Sequence, residues 1–260
     1  MKLLNAVIVA CVPALLLPLR ARADSPLADA VEKQDRAAFE SLLEAQTDVK
    51  ASQNDGMTAL HWAAHHDDLG VGQQLIKSGA QATVQYRYGI TPLFSGWPCG
   101  KGALVELVLE AEVDANSTFN DGETALMIAA RTGRPGAVRA LLANGADVNA
   151  VGPGKQTALM WASAEGNLEV VKLLIHAGAN LHAKLDSGFT PLLFAVRNGK
   201  QEVVHTLLQA GVDLNEAAQP KTGRLPKGST PLTLAIENGH FALAASLLES
   251  GADPGDMRTG

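Results

Sequence analysis

Aromatic residues are scarce: Phe, Trp and Tyr make up 4% of the 260-residue chain. A core this poor in rings must be built from Ala, Leu and Val. That favours closely packed helices over a β-sandwich, whose strands use aromatic side chains heavily. Cysteine is nearly absent. Cys11 and Cys99 are the only two, which excludes a disulfide scaffold and a multi-cysteine zinc site. Positive charge is the minority, with 21 Lys and Arg against 27 Asp and Glu and a net charge of −6. An acidic chain does not attract phosphate backbones, so nucleic acid is not the expected partner. No GxGxxG follows a strand pattern, no phosphate loop ends in Gly-Lys-Ser/Thr, and neither HExxH nor Gly-x-Ser-x-Gly occurs. No catalytic residue, metal ligand set or cofactor is therefore expected. What is present is a hydrophobic content of 47%, enough for a packed core and too high for a disordered chain.

The first 23 residues read differently from the rest. Lys2 supplies a short positive start, and Leu3 to Leu19 is almost wholly apolar, interrupted by Asn5, Pro13 and Pro18. Ala21-Arg22-Ala23 then places small residues where a signal peptidase reads. This predicts a secretory signal peptide over 1–23 and a periplasmic or secreted mature protein starting at Asp24. A permanent span needs about 20 unbroken apolar residues, which this segment lacks. The competing expectation is a lipoprotein: Ile8-Val9-Ala10-Cys11 is similar to a lipidation box, but the apolar stretch before Cys11 is short. Cleavage after Ala23 removes Lys2, Arg20 and Arg22, taking the formal charge from −6 to −9 and leaving Cys99 alone.

The remainder is one unit written seven times. A Thr/Ser-x-Leu element begins at Ser25, Thr58, Thr91, Thr124, Thr157, Thr190 and Thr230. The first five steps are each 33 residues and the last is 40. Seventeen residues after each Thr or Ser comes an aliphatic pair, such as Leu75-Ile76, Leu141-Leu142 and Leu174-Ile175. Glycine recurs nine residues after the Thr at Gly100, Gly133, Gly166, Gly199 and Gly239, and again at Gly79, Gly145, Gly178, Gly211 and Gly251. Such glycines suit helix ends that need the left-handed backbone. Ser or Thr suits an N-cap, and the following Pro suits a first helical turn. Each unit is thus predicted to be helix, turn, helix and a polar loop. Helices of about nine residues are marginal alone and need a neighbour to cover the apolar face. Ala63, Ala129, Ala162, Ala195 and Ala235 allow adjacent first helices to approach, and Trp62, Ile128, Trp161, Phe194 and Leu234 share one position read as core.

Thr58-Ala59-Leu60-His61-Trp62-Ala63-Ala64 and the loop Asn144-Gly145-Ala146-Asp147-Val148-Asn149 resemble the ankyrin repeat family. The resemblance implies an all-α repeat solenoid of about seven units, each two antiparallel helices with a projecting β-hairpin finger. Residues 24–57 are expected to form an N-terminal capping repeat, 58–254 six repeats, and 255–260 the start of an incomplete one. The family resemblance implies a non-enzymatic scaffold that binds a protein through its concave side. Carried over by position, the expected contact residues are Asn54, Asp55, Met57, His65, His66, Arg87, Tyr88, Ile90, Asn120, Asp121, Glu123, Arg131, Thr132, Gln156, Glu165, Asp186, Ser187, Phe189, Arg197, Asn198, Lys227, Ser229, Glu237 and Asn238. Met57, Tyr88, Ile90 and Phe189 are the expected anchors. Arg131 and Arg197, at equivalent places two units apart, are positioned to flank an acidic segment of a partner.

Several departures carry alternative expectations. His61, His65 and His66, with Asp67 and Asp68, form the one metal-like cluster, which opens a metal-binding or enzymatic alternative. Ser95-Gly96-Trp97-Pro98-Cys99 breaks the first helix of the third unit, reading either as a decayed repeat or as a deformed one presenting Trp97 and Cys99. Asp67 and Glu112 stand where glycine is expected. A seven-residue insertion with Lys221, Arg224 and Lys227 reads either as a tolerated loop or as a contact finger. Asn116-Ser117-Thr118 is a glycosylation sequon. Phe241 to Leu248 is so apolar that the final unit looks internal. This predicts Leu243 and Leu247 open to water and self-association through an uncapped end, and it leaves two alternatives, a chain that is a fragment of a longer protein or an end covered by another molecule.

Overall fold

The computed structural model describes residues 25–87, 91–95, 107–108, 114–118, 122–218, 221 and 228–254. The signal-like segment 1–23 with Cys11, the Gly96 to Gly100 stretch, Glu112, most of the basic insertion and residues 255–260 lie outside them. No helix among the described residues is long and apolar enough to cross a membrane. The chain divides into two compact units, 1–107 and 108–260.

The first unit contains α1 (Pro26–Glu32), α2 (Arg36–Glu44), α3 (Ala59–His66), α4 (Leu69–Lys77) and the short α5 (Pro92–Ser95). Helices α1 and α2 form one pair and α3 and α4 the next, with α1, α3 and α5 packed side by side. The second unit contains α6 (Ala125–Thr132), α7 (Pro135–Ala143), α8 (Ala158–Glu165), α9 (Leu168–His176), α10 (Pro191–Arg197), α11 (Gln201–Gln209), α12 (Pro231–Glu237) and α13 (Phe241–Glu249). Here α6, α8, α10 and α12 stack as one layer of first helices, and α7, α9 and α11 as a layer of second helices. Among the described residues there is no strand. Isolated antiparallel bridges, Ser52 with Thr58 and Thr118 with Thr124, close the bases of two fingers.

The local grammar explains these elements. Thr124, Thr157, Thr190 and Thr230 each accept a hydrogen bond from the amide three residues on, so each helix start is capped by its own Thr. Pro191 and Pro231 occupy first-turn positions, where a missing amide proton costs nothing. Ser25 departs from the expected capping role: its hydroxyl donates to the Ala51 carbonyl at 3.0 Å, tying the helix start to the following loop. Gly133, Gly166, Gly199 and Gly239 all take positive φ as expected. Asp67 keeps the same turn without glycine, at φ +52° and ψ +37°. An L-residue there carries a steric cost of roughly 1 kcal/mol, so Asp67→Gly is expected to raise stability by up to that amount. Urea denaturation checks this. A fall in stability would show that the Asp67 side chain contributes more than its backbone costs.

The core follows the repeat. Ala63, Ala129, Ala162, Ala195 and Ala235 have no exposed surface at all, as close helix approach demands. Of each aliphatic pair, the first member is the buried one: Leu75, Leu141, Leu174 and Leu207 are sealed, while Ile76, Leu142, Ile175 and Leu208 are half-buried. The first repeat differs, since Leu42 and Leu43 are both half-buried and Phe39 is the sealed side chain of its second helix.

The last helix pair corrects the expectation that Leu243 and Leu247 lie open to water. Leu243 and Leu247 are buried, at 3% and 1% exposure, because α13 turns them onto its own repeat. The apolar side chains left open are Phe241 and Leu248, with Ala242 and Ala245 between them. In α12 the half-exposed third position after the capping Thr is Thr233, where the equivalent Met127, Met160 and Leu193 are sealed. The Thr233 hydroxyl donates to the Thr230 carbonyl at 3.0 Å, and its oxygen accepts the Thr230 amide at 2.9 Å.

Candidate functional site

In the first unit the histidine cluster is drawn into packing. His61 is fully buried, and its Nδ1 accepts the Thr58 amide at 3.2 Å and lies 2.8 Å from the Thr58 hydroxyl, completing a capping box. The His66 Nδ1 accepts from Gln34 Nε2 at 3.1 Å, and its Nε2 donates to the Glu32 carbonyl at 3.1 Å. Both ring nitrogens are thus committed, and the ring stacks on Trp62 at 6.0 Å. His65 lies edge-on to Trp62 and to His66. Burial, reinforced by the neighbouring His66, holds the His65 pKa below its ordinary value. Among the described residues no three His, Cys, Asp or Glu side chains are placed to hold a metal ion.

A hydrogen-bonded chain anchors the first finger. The Trp62 indole donates to Gln53 Oε1 at 2.8 Å, and Gln53 Nε2 donates to Asp29 at 2.6 Å and Glu32 at 2.8 Å. The finger itself turns over Gln53 to Met57, where the Gln53 amide donates to the Met57 carbonyl. That closure directs Met57 inward. At 8% exposure it is a core residue, which corrects its assignment as a contact anchor. The Arg87 amide donates to the Asp55 carbonyl at 2.7 Å, linking two fingers, and the Arg87 side chain is exposed. Tyr88, Ile90, Asn120, Asp121 and Lys227 lie outside the described residues.

The second unit assembles a surface of its own from fingers and first helices. Fingers close where Gly152 donates to the Gln156 carbonyl at 2.9 Å and Leu185 to the Phe189 carbonyl at 3.0 Å. Their tips are tied by the Lys155–Asp186 ion pair at 2.8 Å. The hydrogen bond from Lys155 holds the Asp186 carboxyl below the usual carboxylate range. The basic insertion joins the same tip, since the Lys221 amide donates to the Asp186 carbonyl at 2.7 Å. Its base is closed by Ala218 donating to the Ser229 carbonyl.

Behind the tips, rings and guanidiniums interleave. Arg131 Cζ stands 4.9 Å from the Trp161 ring centroid, and its Nη1 donates to Glu123 at 3.0 Å. Arg197 Cζ stands 5.3 Å from the Phe189 ring, which packs on Phe194 at 5.0 Å. Trp161 and Phe194 are half-buried, whereas Ile128 and Leu234 at the equivalent position are sealed. Reading this position as core is thus correct for the aliphatic members and incomplete for the rings, which keep one side open. A ring where Ile128 and Leu234 stand in other repeats is the sequence signal for that open face. Gln156 is half-buried, and Glu165 and Glu237 are exposed.

The opposite edge of the unit is occupied by inter-repeat ties. Asn116 Oδ1 accepts the Asp147 amide at 2.7 Å while its Nδ2 donates to the Gly145 carbonyl at 3.1 Å. Asn149 repeats the arrangement with Asn180 and Gly178. The sequon asparagine is therefore a structural link in the folded chain.

Paired short helices in register, capped by Thr and closed by finger loops, define a helical-repeat scaffold with one ring-lined side. The family model for ankyrin repeats, in three copies, matches residues 27–116, 68–152, 99–185 and 159–258. The chain belongs to the ankyrin repeat family. It is 32% identical over 100 residues to E3 ubiquitin-protein ligase KEG of Arabidopsis thaliana, a match spanning 38% of this chain and 6% of the ligase. The ankyrin repeat domain of human ASB11 superposes with a TM-score of 0.73 at 24% identity, covering 89% of this chain and 100% of that domain, a likeness in fold. Ankyrin repeats are generally protein–protein interaction modules rather than enzymes.

Proposed function

We propose that this chain is an exported, non-catalytic scaffold that binds a protein partner on the side formed by first helices and finger loops. The observation that carries the reading is the ring-and-cation surface of the second unit: Trp161 and Phe194 are half-open on helices whose other faces are sealed. Side chains there are held by packing before a partner arrives, so little conformational entropy is lost on binding. Export rests on Lys2, the apolar run and Ala21-Arg22-Ala23.

Two measurements test this. The mature protein is expected to begin at Asp24; retention of Met1, or a lipid on Cys11, overturns that assignment. Trp161→Ala with Phe189→Ala is expected to weaken partner capture from the exported compartment at unchanged helical content. The control is Glu169→Gln with Lys172→Gln, which removes an exposed ion pair on a second helix. Greater loss from the control than from the ring variant places binding elsewhere.

A further inference from the structure

The seventh position after the capping Thr carries a charge pattern along the second unit: Arg131 in α6, Ala164 in α8, Arg197 in α10 and Glu237 in α12. The sequence order is cation, blank, cation, anion, on first helices that pack side by side. The two cations are held in a particular way. Each guanidinium lies over an aromatic ring, at 4.9 Å for Arg131 and 5.3 Å for Arg197. A ring beneath a guanidinium restrains it and consumes none of its five N–H donors. Arg131 gives one nitrogen to Glu123. Arg197 is exposed, and no carboxylate among the described residues pairs with it. Both forks are thus oriented and still able to bind a carboxylate bidentately.

The space between them is low. Ala164 projects only a methyl group, and the half-open Trp161 and Phe194 rings supply the floor. Packed helix axes lie about 8–10 Å apart, so two steps set the helices carrying the arginines roughly 16–20 Å from each other, and the lean of Arg131 over Trp161 of the intervening helix brings its guanidinium inside that span. An extended chain advances about 3.3 Å per residue and turns successive side chains to opposite faces, so two acids on one face within that span lie four or six residues apart.

We propose that the second unit binds an extended protein segment carrying two carboxylates four or six residues apart, with an apolar side chain on the same face between them over Trp161 and Phe194. This rests on the inner-side reading above and names the partner's chemistry. Glu237 fixes the register: a segment shifted by one repeat brings its carboxylate against Glu237 and pays like-charge repulsion. The chain's net charge of −6 opposes an acidic ligand at long range, so the attraction is local to the two arginines.

The test is selection of random 12-residue displayed peptides on the full chain, followed by binding of synthetic winners measured by anisotropy. The expected winners carry two Asp or Glu four or six positions apart. Changing both acids to Gln or Asn, or making Arg131→Gln or Arg197→Gln, is expected to weaken binding about tenfold or more per lost charged hydrogen-bond pair. Glu237→Arg is expected to admit the register shifted by one repeat. Ala164→Arg, checked for unchanged circular dichroism, is expected to block binding by filling the floor. Winners that Ala164→Arg blocks, yet that lack the acidic pair and ignore both arginine variants, overturn this proposal and leave inner-side binding standing. Winners unaffected by Ala164→Arg overturn both. Failure to enrich acidic over neutral peptides, or tighter binding of a twelve-nucleotide oligothymidine, also overturns the proposal.

Discussion

Leu174→Ala is expected to destabilise the second unit by about 2–5 kcal/mol, whereas Ile175→Ala, its sequence neighbour, is expected to cost less than half as much. Both belong to the aliphatic pair that recurs in every repeat, and nothing in their residue types separates them. Leu174 is fully buried on α9, which packs against α7, α8 and α11. Truncating it opens a cavity that three neighbouring helices border, and short helices held only by their neighbours have little room to close it. Ile175 is half-buried and gives up contacts along one edge. Urea denaturation followed by far-ultraviolet circular dichroism separates the two variants. Equal losses would mean that α9 sits in a different rotation from the one described.

Ala162→Leu should produce a loss of about 1–3 kcal/mol by the opposite route, overpacking. Ala162 has no exposed surface, and α8 there lies between α6 and α10. A three-carbon extension must push two helices apart, and in a stacked array the displacement is felt at both interfaces. Ala164→Leu, two residues along the same helix, is half-buried in the wild type and is expected to stay within about 0.5 kcal/mol of it. The contrast isolates packing from helix propensity, since the helix and the substitution are the same. A tolerated Ala162→Leu would show that the first helices are not in close contact. The alanine recurrence at 63, 129, 162, 195 and 235 would then have no packing explanation.

The histidine cluster shows where sequence reading stops. The chain order of His61, His65 and His66 permits a shared helix face, and metal chemistry requires only that their ring nitrogens converge. Tertiary contacts decide otherwise: Thr58 takes the His61 Nδ1, while Gln34 and the Glu32 carbonyl take both nitrogens of His66. Gln34 and Glu32 belong to the preceding repeat, so no local pattern around residue 61 could have revealed them. Met57 makes the same point in reverse. Finger residues are exposed on average, but the closing hydrogen bond between Gln53 and Met57 turns this one inward.

Residue order alone fixes the period, the caps at Thr124, Thr157, Thr190 and Thr230, the left-handed turns at Gly133, Gly166, Gly199 and Gly239 and the alanine seam. These rest on backbone requirements within a few residues, or on a repeat that states the same packing rule several times. Packing between repeats settled which member of each aliphatic pair is sealed, that Asp67 keeps a glycine turn, and that Leu243 and Leu247 are covered. It also decided that Trp161 and Phe194 stay half-open under or beside a guanidinium. Exposure and pairing depend on what the adjacent helices bring, and those partners lie a full repeat away in the chain.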